Sequence, residues 1–383
     1  MKIEANWLTS AATQRVFSLL GDAGHQAFAV GGCVRNALLD QPVRDIDIST
    51  SALPDAVMAL ADEAGLRAAP TGIEHGTVTV VVENEPYEIT TFRRDVETDG
   101  RRAVVAFSDR LEDDALRRDF TMNALYADAA GEIFDPVGGL ADLQMRRIRF
   151  IEDADRRIQE DYLRSLRFFR FAAWYGDPSG GQDSDALDAI ARNLDGLETL
   201  SRERVGSEVK RLLEAPDPVP AVAAMRATGV LRRILPGADD TALGPLVSFE
   251  AGLAADPIRR LAVLGGEDVS DRLRLSRKDA ARLREISEVI GMPPHALGYR
   301  LGAEAGLDAW LVGVALMGTG PVKKTDLNAI EAASEQVVPV SASDLMPALE
   351  GAALGVALKK LEQNWIDSVF TLSKDQLLSR LEG

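Results

Sequence analysis

Two carboxylates and a glycine pair lie close together in one short stretch of the chain, residues 30–48. Asp45 and Asp47 flank an isoleucine in an apolar segment. Because side chains alternate faces along a strand, both carboxylates are predicted to lie on one face. Adjacent carboxylates repel each other, and oxygen ligands of this kind suit Mg²⁺. With the Gly31-Gly32 turn upstream, which can approach phosphates closely, the stretch predicts phosphoryl or nucleotidyl transfer.

Each part of this pattern also has a plain structural interpretation. Gly-Gly between a strand and a helix is often a tight turn, and Asp-x-Asp is common in solvated loops. Arg35, in the first turn of the predicted intervening helix, adds a phosphate-binding side chain, and the combination favours function. Glu88 supplies a third carboxylate if its strand lies beside the one that carries the aspartates, but on an edge strand it is only a surface glutamate. The residues alone leave both interpretations of Glu88 open.

A second polar group lies at residues 117–124, which read Arg-Arg-Asp-Phe-Thr-Met-Asn-Ala. Arg117 and Arg118 offer fork-shaped donors for phosphate oxygens, and Asp119 and Asn123 offer shorter groups for ribose hydroxyls. An arginine-rich helix C-terminus would look similar at its start. It does not explain the polar residues set among apolar ones, so a nucleotide-contacting segment is favoured.

These residues are predicted to be positioned by strands that alternate with helices in the first part of the chain. Runs rich in β-branched residues predict strands at 28–30, 46–48, 78–82 and 87–91, the last two forming a hairpin. A helix is predicted from Pro54 to Ala64, and the run 99–108 is interpreted as a mobile, basic loop. After about residue 141 amphipathic helices replace the strands, and they are predicted at 156–174, 183–193, 202–214, 219–228 and 278–290. The pattern indicates a small α/β head followed by an all-helical remainder.

Composition describes an ordinary globular protein of 383 residues with a formal net charge of −17, which argues against binding to nucleic acid. The arginines are bunched, however, and either bind phosphates or pair with nearby carboxylates on helix faces. The densest group is Arg156, Arg157, Arg164, Arg167 and Arg170. The single cysteine excludes an internal disulfide. Since neither a signal segment nor a membrane span is recognisable, a cytoplasmic location is expected.

The motifs, taken in order, resemble those of the class II tRNA nucleotidyltransferase/poly(A) polymerase family, whose members have a polymerase-β-like head. The residues that carry the resemblance run through the first ~215 positions. They are Gly-Gly-x-Val-Arg, Asp-Ile-Asp, His-Gly-Thr-Val, Glu-Ile-Thr-Thr-Phe-Arg, Asp-Gly-Arg-Arg, Arg-Arg-Asp-Phe-Thr-Met-Asn-Ala, Asp-Pro-x-Gly-Gly and Glu-Asp-Tyr-Leu-Arg. The implied fold class is an α/β nucleotidyltransferase head with a mixed sheet and flanking helices, followed by an all-α neck, body and tail. The implied boundaries are 1–140 for the head, 141–236 for the neck, 237–315 for the body and 316–383 for a tRNA-binding tail.

The resemblance also implies roles for individual residues. Gly31, Gly32 and Arg35 would contact the triphosphate, Asp45 and Asp47 would bind the metal ions with Glu88 as a further catalytic carboxylate, and Arg118, Asp119 and Asn123 would bind ribose and phosphate. The motif that reads the base, Glu-Asp-x-x-Arg, is assigned to Glu160, Asp161 and Arg164, with Arg167 one turn further on. On a helix Asp161 and Arg164 would share a face. Such a pair can bind cytosine or adenine through its amino group, and it suits uracil less well because uracil lacks that donor.

The expected activity is template-independent addition of CCA to the 3′ end of tRNA from CTP and ATP, with Mg²⁺ as cofactor and release of pyrophosphate. The expected partners are the tRNA acceptor end, CTP and ATP, without a membrane or an obligatory protein partner. Three alternatives stay open: a poly(A) polymerase, a partial CC-adding or A-adding enzyme, and an inactive RNA-binding module. The Asp99-Gly-Arg-Arg loop resembles the one that the family needs to switch from C to A, which favours full CCA addition. Asn36, where Asp is frequent, and Ala103, where Pro is frequent, depart from the family pattern.

Overall fold

A computed structural model describes residues 1–99 and 102–381, which divide into two compact units. Unit 1 comprises Met1–Glu208 and Pro220–Ile234, and unit 2 comprises Val209–Val219 and Leu235–Gly383. The finer division into head, neck, body and tail stays a prediction. Among the described residues, no helix combines the length and the apolar character needed to cross a bilayer.

The strands all lie in unit 1, in the part of the chain described. They are β1 Ala27–Val30, β2 Asp47–Thr50, β3 Arg67–Gly72, β4 Thr77–Val82, β5 Glu85–Thr91, β6 Arg93–Asp99, β7 Arg102–Phe107, β8 Tyr126–Ala127 and β9 Ile133–Phe134. The main sheet has the order β3-β4-β5-β2-β1-β8-β9, while β6 and β7 pair separately. Only β2 and β5 are parallel among the described pairs, so the sheet is mixed, as predicted.

The hairpin predicted from the sequence is confirmed as β4 and β5. Burial alternates along β4, where Val78, Val80 and Val82 are fully buried, because every second side chain faces the core. Glu83 and Asn84 connect the strands with positive φ angles of 52° and 70°, the conformation that two-residue hairpin turns require. This hairpin holds β5 next to β2.

Two strand predictions need correction. The strand predicted at 46–48 begins at Asp47 and runs to Thr50, so Asp45 precedes it in irregular backbone. The interpretation of 99–108 as a mobile loop is wrong for Arg102–Phe107, which forms β7 and pairs antiparallel with β6. The Gly100 and Arg101 positions of that loop lie outside the described residues.

The helices of the first part flank the sheet and then replace it. They are α1 Asn6–Thr9, α2 Ala11–Gly21, α3 Gly32–Leu38, α4 Pro54–Glu63, α5 Leu111–Leu116, α6 Gly139–Gln144, α7 Ala154–Glu160, α8 Leu163–Tyr175, α9 Ser184–Arg192, α10 Arg202–Leu213, α11 Val219–Ala227 and α12 Val230–Ile234. α4 has Pro54 at its start, where the missing N–H costs nothing. The single helix predicted at 156–174 is instead two helices, α7 and α8, separated by Asp161 and Tyr162. No strand follows Phe134 in the described chain, which agrees with the predicted change to helices.

Unit 2 consists of helices packed around buried side chains. They are α13 Leu243–Phe249, α14 Pro257–Leu264, α15 Val269–Arg272, α16 Arg277–Glu288, α17 Pro294–Met317, α18 Lys324–Ser334, α19 Gly351–Asp367 and α20 Lys374–Ser379. Arg259 and Arg260 on α14 both pair with Glu250, at 2.6 and 2.8 Å, and Arg259 also pairs with Asp308 on α17 at 2.7 Å. All four are nearly fully buried, so each charge is compensated by a partner inside the helical core.

Candidate functional site

The Gly31 turn joins β1 to α3 and opens the site. Gly31 has φ = 71°, a conformation that side-chain-bearing residues rarely adopt, and a Cβ here would lie 3.5 Å from a terminal nitrogen of Arg118. Its N–H donates to the carbonyl of Leu125 at 3.2 Å, and its carbonyl accepts from the N–H of Arg35 at 2.9 Å. The turn is therefore fixed by backbone bonds on both sides and lies beside an arginine.

The acidic group forms where β2 and β5 run in parallel. Asp47 and Glu88 are direct register partners on these neighbouring strands. Burial, and then repulsion from Glu88, raise the pKa of Asp47 to about 6, with a further upward contribution from Asp45. Asp45 itself is exposed, on the segment before the strand. The sequence left the location of Glu88 open, and the structure brings it next to Asp47.

This acidic group is not a preformed three-ligand cage. Within residues 1–99 and 102–381, no three His, Cys, Asp or Glu side chains lie close enough together to hold a metal ion. Negative charge is nevertheless concentrated where half-buried Asp47 lies beside exposed Glu88, with Asp45 on the chain just before it. A divalent cation is the ligand that would relieve this repulsion.

Arg118 faces this acidic group and is held by three residues that the sequence analysis did not single out. Its Nε donates to Tyr126 Oη at 3.0 Å, and its Nη2 donates to Asp114 Oδ2 at 2.8 Å and to Ser49 Oγ at 3.1 Å. Burial alone would raise the pKa of Asp114, but the charges of Arg118 and Arg117 hold it below its usual range. The spacing of four residues between Asp114 and Arg118, which brings side chains together on a helix, was the signal available in the sequence.

A cleft of about 230 Å³ brings these groups together. It is lined by both signs of charge and by hydroxyl groups, including those of Asp47, Ser49, Thr77, Glu88, Thr90 and Arg118. Negative charge at one wall and a fixed guanidinium at the other suit a ligand that carries phosphates and a cation together.

Asp119, Asn123 and Arg35 form a second, buried group behind the Gly31 turn. Asp119 accepts from Asn123 Nδ2 at 2.8 Å and from Arg167 Nε at 2.7 Å, and Arg35 donates to the side-chain oxygen of Asn123. Burial would raise the pKa of Asp119, but the charge of Arg167 and the hydrogen bonds hold it well below its usual range. Arg35 is only 6% exposed. These predicted nucleotide-binding residues are thus brought together, with their side chains engaged by one another.

Glu160, Asp161 and Arg164 lie at the break between α7 and α8. Asp161 has extended backbone, so the expectation that it shares a helix face with Arg164 is wrong. Its Oδ1 accepts from the N–H of Leu163 at 3.1 Å, and its Oδ2 accepts from Arg204 at 2.6 Å. Arg164 donates to Glu160 at 2.7 Å and to the carbonyl of Arg117 at 3.1 Å. The two side chains are close in sequence but have different partners.

The arginines bunched in this region are paired with carboxylates. Glu160 alone lies within 3.4, 3.0 and 2.7 Å of Arg156, Arg157 and Arg164. Arg170 pairs with Glu208 at 2.6 Å. These arginines are therefore paired with carboxylates, as one of the two interpretations of the sequence has it, but Arg157, Arg164 and Arg170 are largely buried and do not lie on a solvated face.

Two segments of the chain match models of known protein families. Residues 27–149 match the family model described as "Poly A polymerase head domain". Residues 183–241 match the one described as "Probable RNA and SrmB- binding site of polymerase A".

Curated relatives are similar over part of their length. The mitochondrial CCA tRNA nucleotidyltransferase 1 of Mus musculus is 39% identical over 217 residues, which are 56% of this chain and 50% of that protein. The CCA-adding enzyme of Geobacillus thermodenitrificans is 42% identical over 216 residues, 56% of this chain and 52% of that protein. The match thus spans about half the length of these curated relatives.

Solved structures are similar over almost the whole chain. The crystal structure of the Bacillus stearothermophilus CCA-adding enzyme in complex with CTP superposes with a TM-score of 0.75 at 28% identity, covering 97% of each chain. The Thermotoga maritima CCA-adding enzyme, complexed with tRNA, has a TM-score of 0.68 at 18% identity and covers 96% of this chain and 94% of that one, a likeness of fold.

Proposed function

We propose that the chain is a member of the class II tRNA nucleotidyltransferase/poly(A) polymerase family and that it adds CCA to the 3′ end of tRNA from CTP and ATP. The observation that carries the proposal is the cleft in which Asp47 and Glu88 oppose Arg118 beside the Gly31 turn. Several relatives of this chain are named CCA-adding enzymes, and the structure of one such enzyme was solved in complex with CTP. These similarities support the choice of substrates.

The donor set of the cleft fits Mg²⁺. Asp47 and Glu88 offer carboxylate oxygens from paired strand positions, and Asp45 supplies a further carboxylate from the preceding segment. We propose Asp45 and Asp47 as the metal ligands, with Glu88 as the third carboxylate of the site. Bound Mg²⁺ would neutralise phosphate charge and lower the pKa of the attacking 3′-hydroxyl.

The chain's own residues would bind and orient the nucleotide. The Gly31-Gly32 turn gives the triphosphate close access to the backbone, and Arg118, fixed by Asp114 and Tyr126, donates to phosphate oxygens. Asp119 and Asn123 complete the ribose and phosphate side through the network that contains Arg35 and Arg167. The tRNA 3′-hydroxyl then attacks the α-phosphate in line and pyrophosphate leaves. Catalysis comes from positioning and charge neutralisation, without a covalent enzyme intermediate.

We propose that Asp161 and Arg164 select the base, with Glu160 orienting Arg164 through its 2.7 Å ion pair. Asp161 would accept from the amino group of cytosine or adenine after exchanging Arg204 for the base. Uracil has no such donor, and a site that must leave a polar group unpaired discriminates strongly. The side chains therefore take the part that a template strand has in other polymerases.

The proposal extends to the whole chain. Residues 1–140 form the head, 141–236 the neck, 237–315 the body and 316–383 the tail, with the helical segments contacting the tRNA. We place the reaction in the cytoplasm, without an obligatory protein partner.

A poly(A) polymerase is the second candidate, favoured by the name of the head-domain model that residues 27–149 match. Partial CC or A addition is a further alternative within the same chemistry.

The test uses the full chain, Mg²⁺ and a tRNA transcript that lacks its last three nucleotides. CTP alone should add two C residues, and CTP with ATP should add two C residues and one A and then stop. A growing A tail would move the assignment to poly(A) polymerase. Addition that ends after CC, or that needs a CC-ended tRNA, would identify a partial enzyme. No addition in any combination would overturn the proposal.

A further inference from the structure

Arg35 is held between the Gly31 turn and α8 by contacts to an aromatic side chain. It is the fourth residue of α3, and its Nη2 donates to Tyr175 Oη at 2.9 Å. Its guanidinium carbon lies 4.1 Å from the centre of the Tyr175 ring and 5.1 Å from that of Phe171. Arginine over an aromatic face at these distances is an attractive cation–π arrangement, stronger when it is removed from water. Tyr175 therefore contributes both its ring and its hydroxyl.

The same arginine is connected to α8 by a second route. Arg35 donates to Asn123, Asn123 donates to Asp119 at 2.8 Å, and Arg167 donates to Asp119 at 2.7 Å. Arg167 and Tyr175 are eight residues apart on α8, about 12 Å along its axis. We call the closed loop of Arg35, Asn123, Asp119, Arg167 and Tyr175 the Arg35 network. It attaches α8 at two separate points to the start of α3.

The charge of Arg35 makes Tyr175 important within this network. The hydrogen-bond acceptors of Arg35 are neutral, namely the side-chain oxygens of Asn36 and Asn123 and the hydroxyl of Tyr175. Burial lowers the pKa of Arg35, which indicates a poorly solvated cation. The aromatic face of Tyr175 supplies part of the stabilisation that a carboxylate would otherwise give. Sequence reasoning did not find Tyr175 because an aromatic residue at the end of an amphipathic helix usually belongs to the core.

We propose that Tyr175 is a positioning residue for nucleotide selection, because through Arg35 it fixes the distance between the Gly31 turn and the base-reading end of α8. This inference rests on the proposed function, in which the triphosphate lies at the turn and the base lies at Asp161 and Arg164. Arg164 is the second residue of α8 and Tyr175 is the last, so the network sets where the start of the helix lies. A nucleotide spans both ends, and hydrogen bonds to the base edge weaken steeply when donors and acceptors are misplaced.

Three variants of the full chain test the proposal. Tyr175→Leu removes the ring and the hydroxyl, and Tyr175→Phe keeps the ring and removes only one hydrogen bond. Phe169→Leu is the matched control, because Phe169 is a fully buried aromatic residue of the same helix that packs on Phe168 outside the network. The measurement is kcat and KM for CTP and UTP on a tRNA that lacks its last three nucleotides, together with the melting temperature of each variant.

We expect Tyr175→Leu to lower the preference for CTP over UTP by about tenfold, mainly through KM for CTP, with kcat at saturating CTP within about threefold of the wild type. Tyr175→Phe, which loses only the hydrogen bond to Arg35, should lower the preference by about twofold with a raised KM for CTP. Phe169→Leu should keep the wild-type preference despite a lower melting temperature.

Wild-type preference in Tyr175→Leu would overturn the inference, and so would equal losses in Tyr175→Leu and Phe169→Leu, which would show a structural role only. If Tyr175→Leu does not fold, Tyr175→Phe decides the test. A wild-type preference and an unaltered KM for CTP in Tyr175→Phe would overturn the inference, whereas a raised KM for CTP with a reduced preference would support it. If the wild-type protein adds no nucleotide, the proposed function itself is overturned. If the wild type prefers CTP and the Tyr175 variants keep that preference, only the inference about Tyr175 is overturned.

Discussion

Unit 1 contains two acidic regions, one partly exposed around Asp47 and one buried around Asp119, whose negative charge is compensated to different extents. At Asp47 a carboxylate lies beside Glu88 on the neighbouring strand, and burial with this repulsion raises its pKa to about 6. At Asp119 a carboxylate is more deeply buried, and Arg167 and Asn123 hold its pKa well below its usual range. The first region is left with excess negative charge and the second is neutralised within the protein. This difference supports the proposed binding of a cation at the first region, whereas the carboxylate of the second is already engaged by its neighbours.

The largest effect on activity should come from removing the two aspartates of the first region. Asp45→Ala with Asp47→Ala should reduce nucleotide addition more than about a thousandfold, since charge stabilisation of the transferring phosphate is lost. The melting temperature should not fall, because no ion pair of the described structure is broken. Asp62→Ala, an exposed aspartate on α4, serves as the control and should retain full activity. Activity in the double variant close to that of the wild type would refute the assignment of these residues as metal ligands.

The second region should respond in stability. Asp119→Asn removes the carboxylate nearest to Arg167, leaving only Glu208 at 3.9 Å, and directs an amide N–H at a donor, so the free energy of unfolding should fall by about 2–3 kcal/mol. Urea denaturation with and without the substitution measures this loss. Asp155→Asn is the matched control, because its 2.5 Å pair with Arg192 is exposed and should contribute less than about 1 kcal/mol. Equal losses in the two variants would remove the distinction drawn for Asp119.

The same regions show which features of the fold and the site can be predicted from the sequence. Local patterns in the sequence were enough to find the motif residues, to predict the β4–β5 hairpin and to predict the change from strands to helices. The hairpin and the change to helices are both present in the structure. The pairing of β2 with β5 is non-local, so the sequence could not decide whether Glu88 lies beside the aspartates. The strand predicted at 46–48 missed the start of β2 by one residue and its end by two. Such boundaries depend on tertiary hydrogen bonds more than on propensity.

The break between α7 and α8 was missed for a similar reason. Residues 156–174 contain neither glycine nor proline, and their apolar spacing predicts one helix. In the structure Asp161 caps the backbone of Leu163, and the ring of Tyr162 lies so close to Gly196 that a Cβ there would be 2.0 Å from it. The contact of Tyr162 with Gly196 joins residues 34 positions apart, and the local pattern does not encode this part of the arrangement.

A smaller effect of opposite sign is expected for the charge of Asp47 alone. Its pKa in the folded protein is above the usual value of about 3.9, so the folded state binds the extra proton between about pH 4 and 6. The metal-free protein should therefore lose stability as the pH rises through that window and stay less stable above it. Asp47→Asn should raise the free energy of unfolding at neutral pH by about 2 kcal/mol, measured in the presence of a chelator. The same comparison below about pH 4 is the control, where the two proteins should be equal.

The smallest effect concerns Asp161, a carboxylate that belongs to neither region. Its partner Arg204 is 2.6 Å away, but the two side chains are 32% and 45% exposed, so the pair contributes less than about 1 kcal/mol and can be exchanged for a ligand. Asp161→Ala should leave the melting temperature nearly unchanged and lower the preference for CTP and ATP over UTP by about tenfold, which is 1.4 kcal/mol of discrimination. Arg204→Ala removes the residue that competes with the base for Asp161 but leaves Asp161 in place, so this variant should keep the preference for CTP and ATP over UTP. If both variants select nucleotides as the wild type does, Asp161 serves only to cap α8, and base selection must come from Arg164 and its neighbours.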